Sequence, residues 1–226
     1  MIFRQYDIRG VVGKDLTPQV VELIAKAFGT YIKGKSVVVG RDNRSSSSSL
    51  RNAVVKGLLS VGCNVLDVGV VPSPLLYFSV AHHKRYAGVM ITGSHNPKEY
   101  NGLKLSKGLS PVYGEEIMRL KRMAESGRFR KGKGKLRSTR VMSDYINNIK
   151  NKFMLRKKIK VVIDSGNGTT CLVAPKVLKL IGCDVSPLYC RPDPSFPHHL
   201  PDPSNAKNLK SLIKNVRIHH ADVGIA

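Results

Sequence analysis

The stretch from Gly88 to Ser106, GVMITGSHNPKEYNGLKLS, sets a serine at the mouth of an apolar run. Ser94 stands beside an imidazole, His95, and a short way before a lysine, Lys104. Two chemistries suit such a serine: attack on an electrophile with help from a base, or stable carriage of a phosphoryl group. An esterase elbow would need G-x-S-x-G, and the stretch does not have it. A turn over Gly93–Asn96 can aim backbone amides at an anion, and Pro97 fixes the way out of it. A phosphoserine would bring about −1.5 to −2 charges at neutral pH. Arg9, Arg41, Arg44, His95, Lys98 and Lys104 are the cations on offer. The same pattern also fits a serine that only caps a loop, so T-G-S-H-N-P alone leaves both readings open.

The charge balance favours anionic partners. The 226 residues carry a net charge of +23, from 38 Lys+Arg against 15 Asp+Glu. Nucleic acid, anionic lipid and phosphorylated small molecules all suit such a surface. The stretch RFRKGKGKLRSTR (128–140) is basic throughout and contains Gly132 and Gly134, which reads as an exposed linker or hairpin. Phe129 is its only aromatic, so base stacking has little to work with. No helix-turn-helix, zinc-finger or RNA-binding signature accompanies the charge. A basic nucleic-acid-binding module is therefore the rival of another class, and specific nucleic-acid binding is not expected. No apolar run nears the roughly 18 residues of a membrane span. The start, MIFRQYDIRG, has no secretory h-region, so the expected location is the cytoplasm and no membrane partner is expected. Cys63, Cys171, Cys183 and Cys190 form no C-x-x-C pair and read as reduced, packed thiols. The adjacent pairs His82–His83, His198–His199 and His219–His220 read as surface or loop histidines, because neighbours in sequence diverge in space.

Several elements must position the serine. Thr17-Pro18 opens a helix by a hydroxyl N-cap and a first-turn proline. SVVVG (36–40) reads as a buried strand, and the serines 45–49 as the start of a helix through Leu50, Val54, Leu58 and Val61. NVLDVGV (64–70) is the next strand, PLLYFSVAHH a helix, and YAGVMIT (86–92) a third strand. The order β-α-β-α-β predicts a mixed, mostly parallel sheet flanked by helices, with ligands at the strands' carboxyl ends. Gly40-Arg41-Asp42, Pro72-Ser73-Pro74 and Gly93-Ser94-His95 all fall there, with Asp42 and Arg44 bracing the serine loop. Helices follow over 113–126 and 141–154. The pattern then restarts at KIKVVIDSGNGTT, with a helix over 172–181, a strand over 184–188 and a last strand in ADVGIA. The expected layout is a first α/β domain over 1–130, a basic linker and helix over 131–154, and a second, incomplete α/β domain over 155–226. Asp164–Gly168 reads as a tight strand–helix turn, and FPHHLPDP as a proline-fixed loop.

ITGSHNPKEYNGLK closely resembles the phosphoserine loop of the α-D-phosphohexomutases, the phosphomannomutase/phosphoglucomutase superfamily. FRQYDIRG (3–10), VVGRDNRSSS (38–47), VVPSPLLYF (70–78), VVIDSGNGTT (161–170) and PDPSFPHHLPDP (192–203) resemble further segments of that family, in the same order. The resemblance covers the N-terminal half of the family. It implies a mutase that moves a phosphoryl group between the 1- and 6-positions of a hexose phosphate through phospho-Ser94 and a bisphosphate intermediate. By position, Ser94 is the phosphoserine and a ligand of Mg²⁺, Lys104 the general base, and His95 an acid–base or positioning group. Arg9, with Tyr6 nearby, helps hold the catalytic phosphate region, and Arg41 and Asn96 bind substrate or phosphate. A lysine serves as a base only where its environment favours the neutral amine, as neighbouring cations do. The implied partners are a hexose phosphate substrate, a hexose 1,6-bisphosphate activator and Mg²⁺, with homo-oligomer formation left open. A phosphoglucosamine mutase is the nearest alternative. The family's D-G-D-x-D-R metal loop would follow a segment like HHADVGIA, so the chain is expected to be a fragment with little turnover alone.

Overall fold

The computed structural model describes residues 2–226. By contacts the chain divides into two compact units: Met1–Gly93 with Glu99–Arg140, and Ser94–Lys98 with Val141–Ala226.

The first unit is built on a seven-stranded sheet. Its strands are β1 (Ile8–Val11), β2 (Val37–Arg41), β3 (Val65–Val70), β4 (Ala87–Ile91), β5 (Tyr100–Lys107), β6 (Ser110–Pro111) and β7 (Leu136–Ser138). The order is β1-β5-β4-β2-β3-β7, with β6 paired to β5. The pairs β2–β3, β2–β4 and β3–β7 are parallel, while β1–β5 and β4–β5 are antiparallel. The helices are α1 (Pro18–Tyr31), α2 (Ser47–Ser60), α3 (Ser73–His82) and α4 (Glu115–Ser126). α1 packs against α2 and α4, and together they cover one face through Ile24, Phe28, Leu50, Leu58, Ile117 and Leu120. α3 lies against β2 and β4 with Leu75, Leu76 and Val80 buried. Both faces are therefore covered, which is why β2 can run Val37-Val38-Val39 without polar alternation. Each fully buried Leu, Ile or Phe contributes roughly 1.5–3 kcal/mol.

Local chemistry explains the boundaries. Thr17 accepts from the Val20 amide at 3.3 Å, with Pro18 in the first turn, as the sequence predicts. α2 starts within the serine run, at Ser47, as expected, although Ser46 makes no capping bond and its hydroxyl is used elsewhere. The basic stretch 128–140, expected as an exposed linker or hairpin, supplies β7 instead. Leu136, Arg137 and Ser138 pair with Val65, Leu66 and Asp67. Gly134 permits this approach, since a Cβ there would fall 1.8 Å from the Cys63 carbonyl oxygen. Charge and glycine content hid a strand that exists only through its partner.

The second unit holds α5 (Met142–Lys150), β8 (Lys160–Asp164), α6 (Ala174–Leu180), β9 (Asp184–Leu188), α7 (Lys210–Ile218) and β10 (Val223–Ile225), with 3₁₀ turns at Thr169–Leu172 and Ala206–Leu209. Its sheet runs β10-β8-β9, all parallel. Val161, Val162 and Ile163 of β8 are buried, as befits its central position. The helix expected over 172–181 begins only at Ala174, after the 3₁₀ turn. None of the helices among the described residues is long and apolar enough to cross a membrane.

Candidate active site

In the first unit, a buried polar frame grips the end of β4. Asp42, just past β2, accepts hydrogen bonds from the Gly93 amide at 2.9 Å, the Arg44 amide at 3.0 Å and the Ser47 hydroxyl. Arg44 is 4% exposed. Its guanidinium lies 3.3 Å from the Asp42 carboxylate and donates to the Tyr100 carbonyl at 3.1 Å. A Cβ on Gly93 would fall 2.2 Å from Arg44 Nε, so only glycine fits against that guanidinium. Asn101 is fully buried and donates to Ser46 and Ser47 Oγ, both at 2.9 Å, while accepting from the Gly102 amide at 2.8 Å. Arg9 is 2% exposed, donates to the Thr92 carbonyl, and pairs with Asp7 at 2.7 Å. Thus β4's last residues and β5's first are fastened to β1, β2 and the start of α2. Burial pushes the Arg44 guanidinium below its ordinary value; Asp42 opposes this, and the Arg9 charge adds to it.

Register places the lysine. Ile8, Leu103 and Leu105 belong to the core under α1 and α2. Arg9 stands opposite Gly102 and Lys104 opposite Met90, so both side chains leave the other face of the sheet. They are diagonal neighbours, about 7–8 Å apart at the backbone. Arg41 ends β2, half-buried, between Val70 and Ile91. Tyr6 is 68% exposed and stacks on Tyr113 at 6.4 Å between ring centres.

Residues 94–98 cluster with the second unit. Ser94 adopts φ +53°, a left-handed conformation that costs a non-glycine residue roughly 1–2 kcal/mol. Its hydroxyl lies 3.3 Å from His95 Nδ1. Ser94 and Asn96 are half-buried and His95 is exposed. The Asp202 carboxyl is held below its ordinary value by hydrogen bonds from the Ser204 hydroxyl and amide, with His95 adding a smaller attraction. The serine loop and the Asp202 turn thus share one electrostatic neighbourhood.

Among the described residues no three His, Cys, Asp or Glu side chains converge on one point. Ser94 with a phosphate would be one ligand for Mg²⁺, but these residues do not make a cage.

The sequence reading missed Thr92, Asn101, Ser46 and Ser47. The serine run, read only as a helix start, was the available signal. It also undervalued one histidine pair. His199 Nε2 lies 3.0 Å from the buried Asp164 carboxylate, and His198 stacks on Tyr189 at 3.8 Å and bonds Asn167 at 2.8 Å. Both are loop residues, but His199's side chain is only 15% exposed.

Comparison with known proteins agrees with this architecture. Residues 1–126 match phosphoglucomutase/phosphomannomutase alpha/beta/alpha domain I, and residues 143–226 match domain II. The phosphomannomutase/phosphoglucomutase of Pseudomonas aeruginosa is 40% identical over 228 residues, covering 100% of this chain and 49% of that protein. The probable phosphoglucosamine mutase of Thermococcus gammatolerans is 41% identical over 224 residues, covering 97% of this chain and 49% of that protein. A Burkholderia thailandensis phosphoglucomutase/phosphomannomutase family structure superposes with a TM-score of 0.94 at 36% identity, covering 99% of this chain and 51% of that one. The chain spans about half the length of the relatives it matches, and it belongs to the phosphoglucomutase/phosphomannomutase family.

Proposed function

We propose that the whole protein is a phosphohexomutase acting on cytoplasmic hexose phosphates, with Ser94 as its phosphoryl carrier. The observation that carries this is the left-handed Ser94, presented directly after a β4 end locked by Asp42, Arg44 and Arg9. In the transfer, a sugar hydroxyl oxygen attacks phosphorus, the P–Oγ bond breaks, and Oγ leaves with a proton. Lys104 takes the hydroxyl's proton. His95 Nδ1, 3.3 Å from Oγ, supplies and later recovers the serine proton. The bisphosphorylated sugar then returns its other phosphate to Oγ by the reverse step. The hexose 1,6-bisphosphate is thus both intermediate and activator. Phosphoryl transfer depends mainly on positioning and charge stabilisation, so a serine held beside an imidazole and preceded by a fastened strand end suits it. Arg9 acts as a positioning residue through the Thr92 carbonyl, whereas Arg41, Asn96 and Tyr6 meet the substrate or its phosphate. Mg²⁺, when bound, would be held in part by phospho-Ser94 and would offset the charge on the transferring phosphoryl group; we expect little turnover from these residues alone.

Intact-mass measurement on the full-length protein tests the reading. One phosphate is expected, absent in Ser94→Ala, with mutase activity down at least about 10³-fold. Full activity in the alanine variant overturns it. The identity to a probable phosphoglucosamine mutase favours a second substrate reading. Ratios of kcat/KM for glucose, mannose and glucosamine phosphates decide between them.

A further inference from the structure

At the other end of the first unit's sheet is a cavity of about 320 Å³ lined by Asn64, Val65, Leu66, Arg85, Lys135 and Arg137. These residues precede or open β3, β4 and β7, at the amino ends of the parallel strands. Gly93 lies beyond the carboxyl end of β4, a strand length of roughly 16 Å away. The cavity is therefore separate from the serine-loop frame.

Its lining is chemically one-sided. Arg85, Lys135 and Arg137 give three cationic donors. The Asn64 amide oxygen is committed to the Lys135 backbone amide at 2.9 Å, which leaves its NH₂ as a further donor. The Lys135 carbonyl is committed to the Val65 amide at 2.8 Å. No carboxylate lines the space. Asp67, next to the lining residue Leu66, is engaged with Arg51. Arg85 follows Lys84, whose φ of +48° turns the chain out of α3. Arg85 Nε is buried and has no hydrogen-bond partner among the described residues. A buried unpaired donor is costly, and a charged acceptor relieves that cost.

We propose that this cavity is a binding site for a phosphate-bearing small anion, distinct from the catalytic loop. Three cationic donors with no carboxylate beside them disfavour a metal ion and suit clustered phosphoryl oxygens. The volume lies at the small end of ligand pockets, enough for a diphosphate group but not for a nucleic-acid duplex. The inference does not depend on the mutase reading.

Pyrophosphate and orthophosphate are titrated into the chain by calorimetry at fixed ionic strength, with amide NMR shifts followed at Asn64–Leu66. Pyrophosphate is expected to shift these amides and to bind about tenfold more weakly in Arg85→Gln/Arg137→Gln. Lys135→Gln/Arg137→Gln, which alters only exposed side chains, is expected to give a similar loss and guards against misfolding of the first variant. Stronger binding of pyrophosphate than orthophosphate identifies a diphosphate group as the ligand, and the reverse a single phosphoryl group. Three results overturn the proposal: equal affinity in wild type and both double variants, an effect reproduced by sodium chloride, or an oligonucleotide bound more tightly through the same residues.

Discussion

Two strands, β4 and β8, each run into a turn where a buried aspartate holds a backbone amide and a left-handed polar residue follows, yet to opposite ends. In the first, Asp42 holds the Gly93 amide and Ser94 follows at φ +53°. In the second, Asp164 holds the Gly166 amide at 2.8 Å and Asn167 follows at φ +57°. Asn167 is 3% exposed and ties its side chain to the Arg191 carbonyl at 2.8 Å and to His198. Its polar atoms close a loop. Ser94 is half-buried, its hydroxyl lies 3.3 Å from the ring of its neighbour His95, and the base of its loop is fastened by its predecessors. The same backbone device serves closure in one place and presentation in the other, and the division lies in which residue does the anchoring.

Three substitutions probe that division. Asp42→Ala should destabilise the first unit by about 3–5 kcal/mol in urea unfolding, because Arg44 stays buried without its counter-charge. A loss below about 1 kcal/mol would mean that Asp42 is no anchor. Asn167→Ala should cost the second unit about 2–3 kcal/mol, as the Arg191 carbonyl and His198 lose their partner. Ser94→Gly should change stability in the other direction, raising it by about 1 kcal/mol while abolishing phosphate uptake. A destabilised Ser94→Gly would show that the serine, like Asn167, works in loop closure, and the contrast would fail.

The smallest effect concerns a charge pair at the other end of β4, where Lys107 stands opposite Ala87. Burial pushes the Glu116 carboxyl up, but hydrogen bonds from Lys107 and Tyr31 outweigh this and hold it below its ordinary 4.5. Lys107 is raised by Glu116 and then by Tyr31. A depressed acid stabilises fully above about pH 4.5, and that contribution fades as pH falls through its lowered folded value. A raised lysine stabilises fully below about pH 10.5, and that contribution fades as pH rises through its raised folded value. Glu116→Gln should therefore cost about 0.5–1 kcal/mol between those limits and little at acid pH, given the pair's partial exposure. Thermal unfolding at pH 3 and pH 7 measures the difference.

Much of this was readable from residue order. The apolar runs at 37–41 and 87–91 and the Thr17-Pro18 start mark their elements without help from the rest of the chain. β1 and β5 escaped because Tyr6–Gly10 and Asn101–Lys104 were read for chemistry. The Leu103–Leu105 alternation that marks a half-buried strand was on view. β7 could not be read: Leu136–Ser138 has no strand pattern of its own and is ordered by pairing with β3. The bracing role of Asp42 and Arg44 was legible from their place after β2. That of Ser46 and Ser47 was not, because their partner Asn101 lies far along the chain.

The pairing of β1 with β5 also sets a timetable. Ile8 meets Leu103 and Val11 meets Tyr100, so β1 leaves a ribosome well before its partner β5 has been made. The helices and parallel strands between them can collapse early, around closer contacts. Closure over Arg9 and Thr92 must come later, since it joins residues 83 apart in the chain. The serine loop is therefore fastened at its base only after β5 has begun to form.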